Sequence, residues 1–115
     1  MLKFFKKSFL YLIHLSEETG VPPIPVYDKK IIIGRSTNHV LAIPDHSISR
    51  NHAEIVYSNG VITIMDMATS NGTKINEQTI PPNMPVEYHV GQVLTLGNCP
   101  VGIIFEFPED EKTDD

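Results

Sequence analysis

The stretch SISRNHAEI, Ser47 to Ile55, sets a serine, an arginine and a histidine close together at Ser49, Arg50 and His52. Three chemistries could use such a set. A nucleophilic triad would pair the Ser49 hydroxyl with His52 as base and with Asp45 or Asp66 as the orienting acid, but the chain has no G-x-S-x-G elbow and no recognisable oxyanion loop. A metal site would need grouped ligands, whereas His14, His39, His46, His52 and His89 fall at no recognised ligand spacing and Cys99 is the only cysteine. Anion recognition asks for a guanidinium fork, hydroxyl donors and free backbone amides, because a phosphate monoester carries about −1.5 to −2 charges and three acceptor oxygens. Arg35, Ser49 and Arg50 can supply the side-chain part, and arginine suits it better than lysine because its planar donors meet two oxygens at once. The expectation is a binding site with no catalytic residue, no metal and no cofactor.

Such a site needs a frame, and the frame reads as all-β. β-Branched and aromatic residues alternate with polar ones in short runs, and no segment keeps apolar residues at helical spacing for more than two turns. Strands are expected near Phe9–Leu15, Ile24–Tyr27, Lys30–Ile33, His39–Ile43, Ala53–Tyr57, Val61–Asp66, Lys74–Ile75, Val93–Leu96 and Val101–Phe107. The strongest local signal is AEIVYSNGVITIMD, two alternating runs about Asn59-Gly60, a pair that supplies the two positive φ values of a tight hairpin turn. Many short strands without helices predict two packed antiparallel sheets, a β-sandwich. Three polar loops join them: GRSTN at Gly34–Asn38, PDHSISRNH at Pro44–His52 and MATSNGT at Met67–Thr73. Pro81, Pro82 and Pro85 mark a further loop rather than a strand.

Bulk properties bound the function. A chain of 115 residues fits one domain, and 41% hydrophobic with 20% charged residues is an ordinary globular composition. A lone cysteine cannot pair within the chain, which suits a reducing intracellular compartment and a small buried side chain at Cys99. SFLYLIHL is too short to span a membrane, and KFFKKSFLYLI lacks a small-residue cleavage site, so both read as a strand with a charged lead-in. The net charge of −5, with acid gathered in PEDEKTDD, argues against direct nucleic-acid binding. The expected division is a lead-in at 1–8, a folded domain at 9–107 and an acidic tail or linker start at 108–115.

IIIGRS, IPDHSISRNHAEI, DMATSNGTKIN and VGQVLTLG stand in the order and approximate spacing of a forkhead-associated (FHA) domain, which the chain resembles from about Phe9 to Phe107. The resemblance implies an FHA-like β-sandwich that binds phosphothreonine in a partner protein or peptide. It implies that Arg35 contacts the phosphate, that Ser49 donates its hydroxyl to it, that Arg50 adds charge or binds peptide backbone, that Asn71 brackets the phosphothreonine and that Ser70 touches the phosphate. Gly34, His52, Gly72, Thr73 and Asn76 resemble the family's supporting residues, and His46, Ser47, Lys74 and Asn98 are candidates for reading the flanking peptide. The departures are Thr69-Ser70 where the family often has Ser-Thr, and Gln92 where Asp commonly follows the turn glycine.

SISRNHA and LGNCPVGIIFEF are further similar to the nibrin-type subunit of a DNA-repair complex, although Asn71 departs from that pattern. That likeness places the expected role in nuclear DNA-damage or cell-cycle signalling, within a larger complex built through the remainder of a longer protein. A phosphate-independent scaffold or dimerisation domain is the alternative from another class.

Overall fold

The alternating runs become strands because each can bury one face while its backbone pairs with a neighbour. The computed structural model describes residues 10–14 and 24–104. The expected segments 1–8 and 108–115, and the outer ends of the first and last expected strands, lie outside the described residues. Ten strands are present there: β1 Leu10–His14, β2 Ile24–Val26, β3 Lys30–Ile33, β4 Ala53–Ser58, β5 Val61–Asp66, β6 Thr73–Ile75, β7 Gln78–Thr79, β8 Val86–Tyr88, β9 Leu94–Leu96 and β10 Cys99–Ile104. They form a six-stranded sheet in the order β2-β1-β10-β9-β6-β7 and a four-stranded sheet in the order β3-β4-β5-β8, with every neighbouring pair antiparallel. The all-β, two-sheet architecture is the expected one.

The β4–β5 hairpin runs in register from Ala53↔Asp66 to Ser58↔Val61, and its turn has φ 54° at Asn59 and 82° at Gly60. From the four-stranded sheet Ile33, Ile55 and Ile64 enter the core; Leu94, Leu96 and Val101 meet them from the other side, and all six are fully buried. Each contributes roughly 1.5–3 kcal/mol by leaving water. Ile43 and Ile48, outside any strand, are buried in the same core and pin both sides of the turn between them.

One local expectation is corrected, and two strands join the expected set. Residues 39–43 are not a strand: Leu41 and Ile43 are buried, but the backbone makes only a single bridge, Gly34↔Ala42, with bonds from Gly34 N–H to Leu41 C=O and from Ile43 N–H to Gly34 C=O. Apolar alternation here records burial rather than a ladder. Val86–Tyr88 is a strand immediately after Pro85, tolerated because β8 is an edge that pairs with β5 alone. Gln78–Thr79 is a short strand on β6, joined by a turn without glycine, with φ 51° at Asn76 and 69° at Glu77.

The topology sorts the connections to two ends of the sandwich. At one end gather the long β3–β4 loop, the β5–β6 loop and the Gly97-Asn98 turn between β9 and β10. At the other lie the turns at Asn59-Gly60 and Asn76-Glu77 and the β8–β9 connection.

Candidate functional site

The sequence that carries the chemistry lies in the β3–β4 and β5–β6 loops, and backbone bonds draw these loops together. Arg35 N–H donates to Ser49 C=O at 2.9 Å and Ser36 N–H to Arg50 C=O at 3.2 Å, so the two arms of the β3–β4 loop run side by side. Gly34 is required here for closeness rather than for a turn: a Cβ would stand 2.3 Å from Arg50 O, and its φ is not positive. The side chain is missing to let two backbones meet. His39 adds a further tie, donating from Nε2 to Arg50 C=O at 3.0 Å and to Asn51 Oδ1 at 2.7 Å.

The Arg35 side chain is exposed, yet its Nε–H donates to Ile48 C=O at 3.0 Å, which orients the rest of the guanidinium beside Ser49. Arg50, the next residue, is also exposed. Among the described residues neither arginine takes part in an ion pair, so both charges are available to a ligand.

Beneath them sits His52, fully buried. Ser49 N–H donates to its Nδ1 at 3.0 Å, so the ring proton lies on Nε2, which donates to Gly72 C=O at 2.9 Å. One neutral ring thus fixes Ser49 from one side and the Asn71-Gly72 corner from the other. Its Nε2 is 3.9 Å from Asp66 Oδ1, a neighbour rather than a charged partner for this tautomer.

Asp66 holds the β5–β6 loop. Its Oδ1 accepts from Thr69 Oγ1–H at 2.7 Å and Thr73 Oγ1–H at 2.6 Å, and its Oδ2 accepts from Thr69 N–H at 3.1 Å. Thr69 Oγ1 in turn accepts from Gly72 N–H at 3.0 Å. Burial alone would push the Asp66 carboxyl up, but the hydrogen bonds from Thr73 and Thr69 outweigh it and hold the group below its ordinary value of 3.8. Asp66, Thr69 and Thr73 together form a buried polar knot whose every bond shapes the loop bearing Asn71.

A second knot lies on the outer side. Asp45 Oδ1 accepts from Ser47 N–H at 2.8 Å and Ser47 Oγ–H at 2.7 Å, and these bonds, the side-chain one first, hold the Asp45 carboxyl below its ordinary value. Ser47 Oγ accepts from Asn98 N–H at 2.9 Å, and Ser47 C=O accepts from Asn71 Nδ2 at 2.9 Å. Cys99 is buried close by; burial, followed by the Asp45 hydrogen bond and charge, pushes its thiol up, as befits a small core residue.

Of the residues singled out in the sequence, the structure brings Gly34, Arg35, Ser47, Ser49, Arg50, His52, Asn71, Gly72 and Thr73 into one connected end of the sandwich. Ser70 is exposed between Thr69 and Asn71, and His46 and Asn98 are exposed on the flanking turns. Lys74 is exposed on β6, opposite Thr79 and Thr95 in register. Asn76 is not brought there: it lies at the far end of β6, where it exchanges two 2.8 Å bonds with the Val93 backbone through its own N–H and its Oδ1. Asp45, Asp66, Thr69 and Gly97 are structural members that the sequence reading does not place in the site's framework, Asp45 and Asp66 entering that reading only as orienting acids of a triad. Two local signals mark them, the Asp-x-Ser of an Asx turn at Asp45 and the Asp-x-x-Thr at Asp66. Among the described residues no group of three or more His, Cys, Asp or Glu side chains could hold a metal ion.

Comparison with known proteins converges on one family. Residues 31–97, more than half of the chain, match the FHA domain family. The chain is 37% identical over 71 residues to an FHA domain-containing protein of Arabidopsis thaliana, with 62% of this chain and 18% of that protein covered. It is 35% identical over 74 residues to pre-mRNA leakage protein 1 of Saccharomyces cerevisiae, with 61% and 32% covered. The chain therefore spans less than a third of either relative. Among solved structures, the FHA domain of FhaA, complexed with the intracellular domain of a second protein, superposes with a TM-score of 0.69 at 26% identity over 82% of this chain and 98% of that one. The N-terminal FHA domain of Saccharomyces cerevisiae Rad53p, in complex with a phosphothreonine peptide, superposes with a TM-score of 0.74 at 17% identity over 85% and 94%.

Proposed function

The chain belongs to the FHA domain family, and from that premise we propose that it binds phosphothreonine in partner proteins and acts by recruitment rather than by turnover. The observation that carries this reading is the Arg35 guanidinium, exposed, free of ion pairs among the described residues, and held through Nε at the Ile48 carbonyl beside Ser49. A doubly charged phosphate entering there meets two Arg35 Nη groups, the Ser49 hydroxyl and the neighbouring Arg50 charge, an arrangement suited to a tetrahedral anion. Asn71 faces the same space from the β5–β6 loop, where a carboxamide can bond an extended peptide backbone, and Ser70 adds a hydroxyl. Kinase action on the partner creates the ligand, and the rigid sheets present the loops that read it. The net charge of −5 makes long-range attraction of an anionic peptide weak, so recognition is local to the arginines.

The relatives solved with a phosphothreonine peptide or with a partner's intracellular domain support this reading by analogy. The decisive experiment is titration of degenerate phosphothreonine, phosphoserine and unphosphorylated peptide pools into the wild type and Arg35→Ala. Phosphothreonine binding that weakens at least about tenfold in the variant, with folding intact, is the expected outcome. Equal binding by both proteins, or by the unphosphorylated pool, would overturn it.

The finer setting we propose is intracellular and nuclear, in DNA-damage or cell-cycle signalling. It is supported by the unpaired Cys99 and by the likeness of SISRNHA and LGNCPVGIIFEF to a DNA-repair subunit. Imaging the tagged protein before and after DNA damage tests it, and exclusion from the nucleus in both states would remove it.

A further inference from the structure

Ser47 was expected among the residues that read the peptide, yet every polar group it owns is committed within the protein. Its N–H and Oγ–H both donate to Asp45 Oδ1, its Oγ accepts the Asn98 N–H, and its C=O accepts from Asn71 Nδ2. The packing around it is equally tight. A Cβ on Gly97 would stand 2.3 Å from Ser47 O and 2.6 Å from Ser47 Oγ, and Gly97, at φ 57°, also donates its N–H to Gly72 C=O at 3.0 Å. Three loops distant in sequence therefore meet at one residue.

We infer that Ser47 is the positioning residue of the site, holding the Asn71 carboxamide and the Gly97-Asn98 turn at fixed places before any ligand arrives. The inference rests on the phosphothreonine reading of the site and assigns Ser47 a role inside it. The link to Ser47 uses one Nδ2 hydrogen of Asn71, which fixes the amide plane and leaves Oδ1 and the second hydrogen for a peptide backbone. Without the Asp45 anchor, the Ser47 hydroxyl could rotate away from Asn98, and the turn would have to be ordered at the moment of binding. Such ordering is subtracted from affinity. Ser47 thus shapes selectivity without reading a side chain itself: the flanking peptide is left to the exposed His46 and Asn98 on either side of it.

The test compares the wild type with Ser47→Ala, Asp45→Ala and Asp45→Asn. Asparagine keeps an Oδ1 acceptor for the Ser47 N–H and Oγ–H, so it should restore what alanine removes. Amide hydrogen exchange at Asn98 in the free proteins should quicken in Ser47→Ala and Asp45→Ala and stay near wild type in Asp45→Asn, while Ile55 and Ile64 in the core hairpin are unmoved. Titration with the phosphothreonine pool, well below the melting temperature of each protein, should show about three- to tenfold weaker binding for the two alanine variants and near-wild-type binding for Asp45→Asn. If the wild type binds and Ser47→Ala binds equally well, Ser47 is not a positioning residue and the phosphothreonine reading stands. If Ser47→Ala does not fold, the Asp45 pair decides: equal affinities for Asp45→Ala and Asp45→Asn would sink the inference. A wild type that binds no pool removes the phosphothreonine reading and the positioning role with it.

Discussion

The two ends of this sandwich are built by different means. At the end opposite the site, short connections close on themselves: Asn59-Gly60 joins β4 to β5, Asn76-Glu77 joins β6 to β7, and His89 and Gln92 close the next turn by bonds to each other. Each turn is closed by residues adjacent in the chain, and Asn76 adds two backbone-directed bonds to Val93 on the neighbouring strand connection. At the site end, polar side chains bond across the chain, the buried His52 to Gly72, the exposed Asn71 to Ser47 and the half-buried Ser47 to Asn98. The difference teaches where a binding loop obtains rigidity when it has neither the length of a strand nor the closure of a tight turn. It borrows rigidity from bonds between distant segments, and where such a bond is buried, as at His52, losing one partner strands another and the cost is high.

The sharpest way to break the comparison is His52→Ala. The substitution leaves the Ser49 N–H without its partner, removes one of the two donors to Gly72 C=O and opens a cavity where a fully buried ring stood. A loss of about 3 kcal/mol is expected in denaturant unfolding, with phosphothreonine binding reduced further than stability alone explains. A loss below about 1 kcal/mol would mean that the histidine is not the post between the loops.

Gly97→Ala probes the outer knot with a smaller effect. The added methyl would collide with the Ser47 backbone oxygen and would also fix an alanine at φ 57°. The two strains together should cost about 2 kcal/mol, read as a lowered melting temperature with weakened binding. An alanine tolerated there with unchanged binding would show that the turn yields independently of Ser47.

Acid titration reports on the same end. The folded-state carboxyls of Asp66 and Asp45 lie below the ordinary 3.8, so their contribution to stability is complete above that value and disappears as pH falls through the lower folded values. Stability should therefore drop below about pH 4. In Asp66→Asn, whose amide oxygen can still accept from the two threonine hydroxyls, part of that acid-dependent loss should vanish. An unchanged acid limb in the variant would deny Asp66 its place in the knot.

The same division explains what could be read in the sequence. The β4–β5 hairpin was legible because its period-two pattern and its Asn-Gly turn are both local. The two-sheet architecture followed from the number of such runs. The alternation HVLAI misled because burial of Leu41 and Ile43 imitates a strand, although only one bridge forms beside β3. Prolines hid β8, since an edge strand can begin directly after Pro85. Within the site, Arg35, Ser49, Arg50 and Asn71 were visible by residue type and by likeness to a family. The engagement of Ser47 and the close approach of Gly34 to Arg50 were not, because both depend on bonds between segments whose distance apart no local pattern specifies.

The smallest effect belongs to the far end and has the opposite sign. Asn76 and Glu77 form the two-residue turn between Ile75 and Gln78, both at positive φ, the geometry that suits the right-handed twist of a hairpin. Asparagine accepts that region readily, but a glutamate at φ 69° carries steric strain between its Cβ and the backbone. Glu77→Gly removes the strain and completes an Asn-Gly pair like the one at Asn59-Gly60, while the greater freedom of glycine in the unfolded chain returns part of the gain. The net expectation is a stabilisation of about 0.5–1 kcal/mol in denaturant unfolding, with phosphothreonine affinity unchanged. Improved stability with altered affinity would show that the two ends communicate through β6. A destabilised protein would show instead that Glu77 makes a compensating contact, because the local turn geometry by itself predicts only a gain.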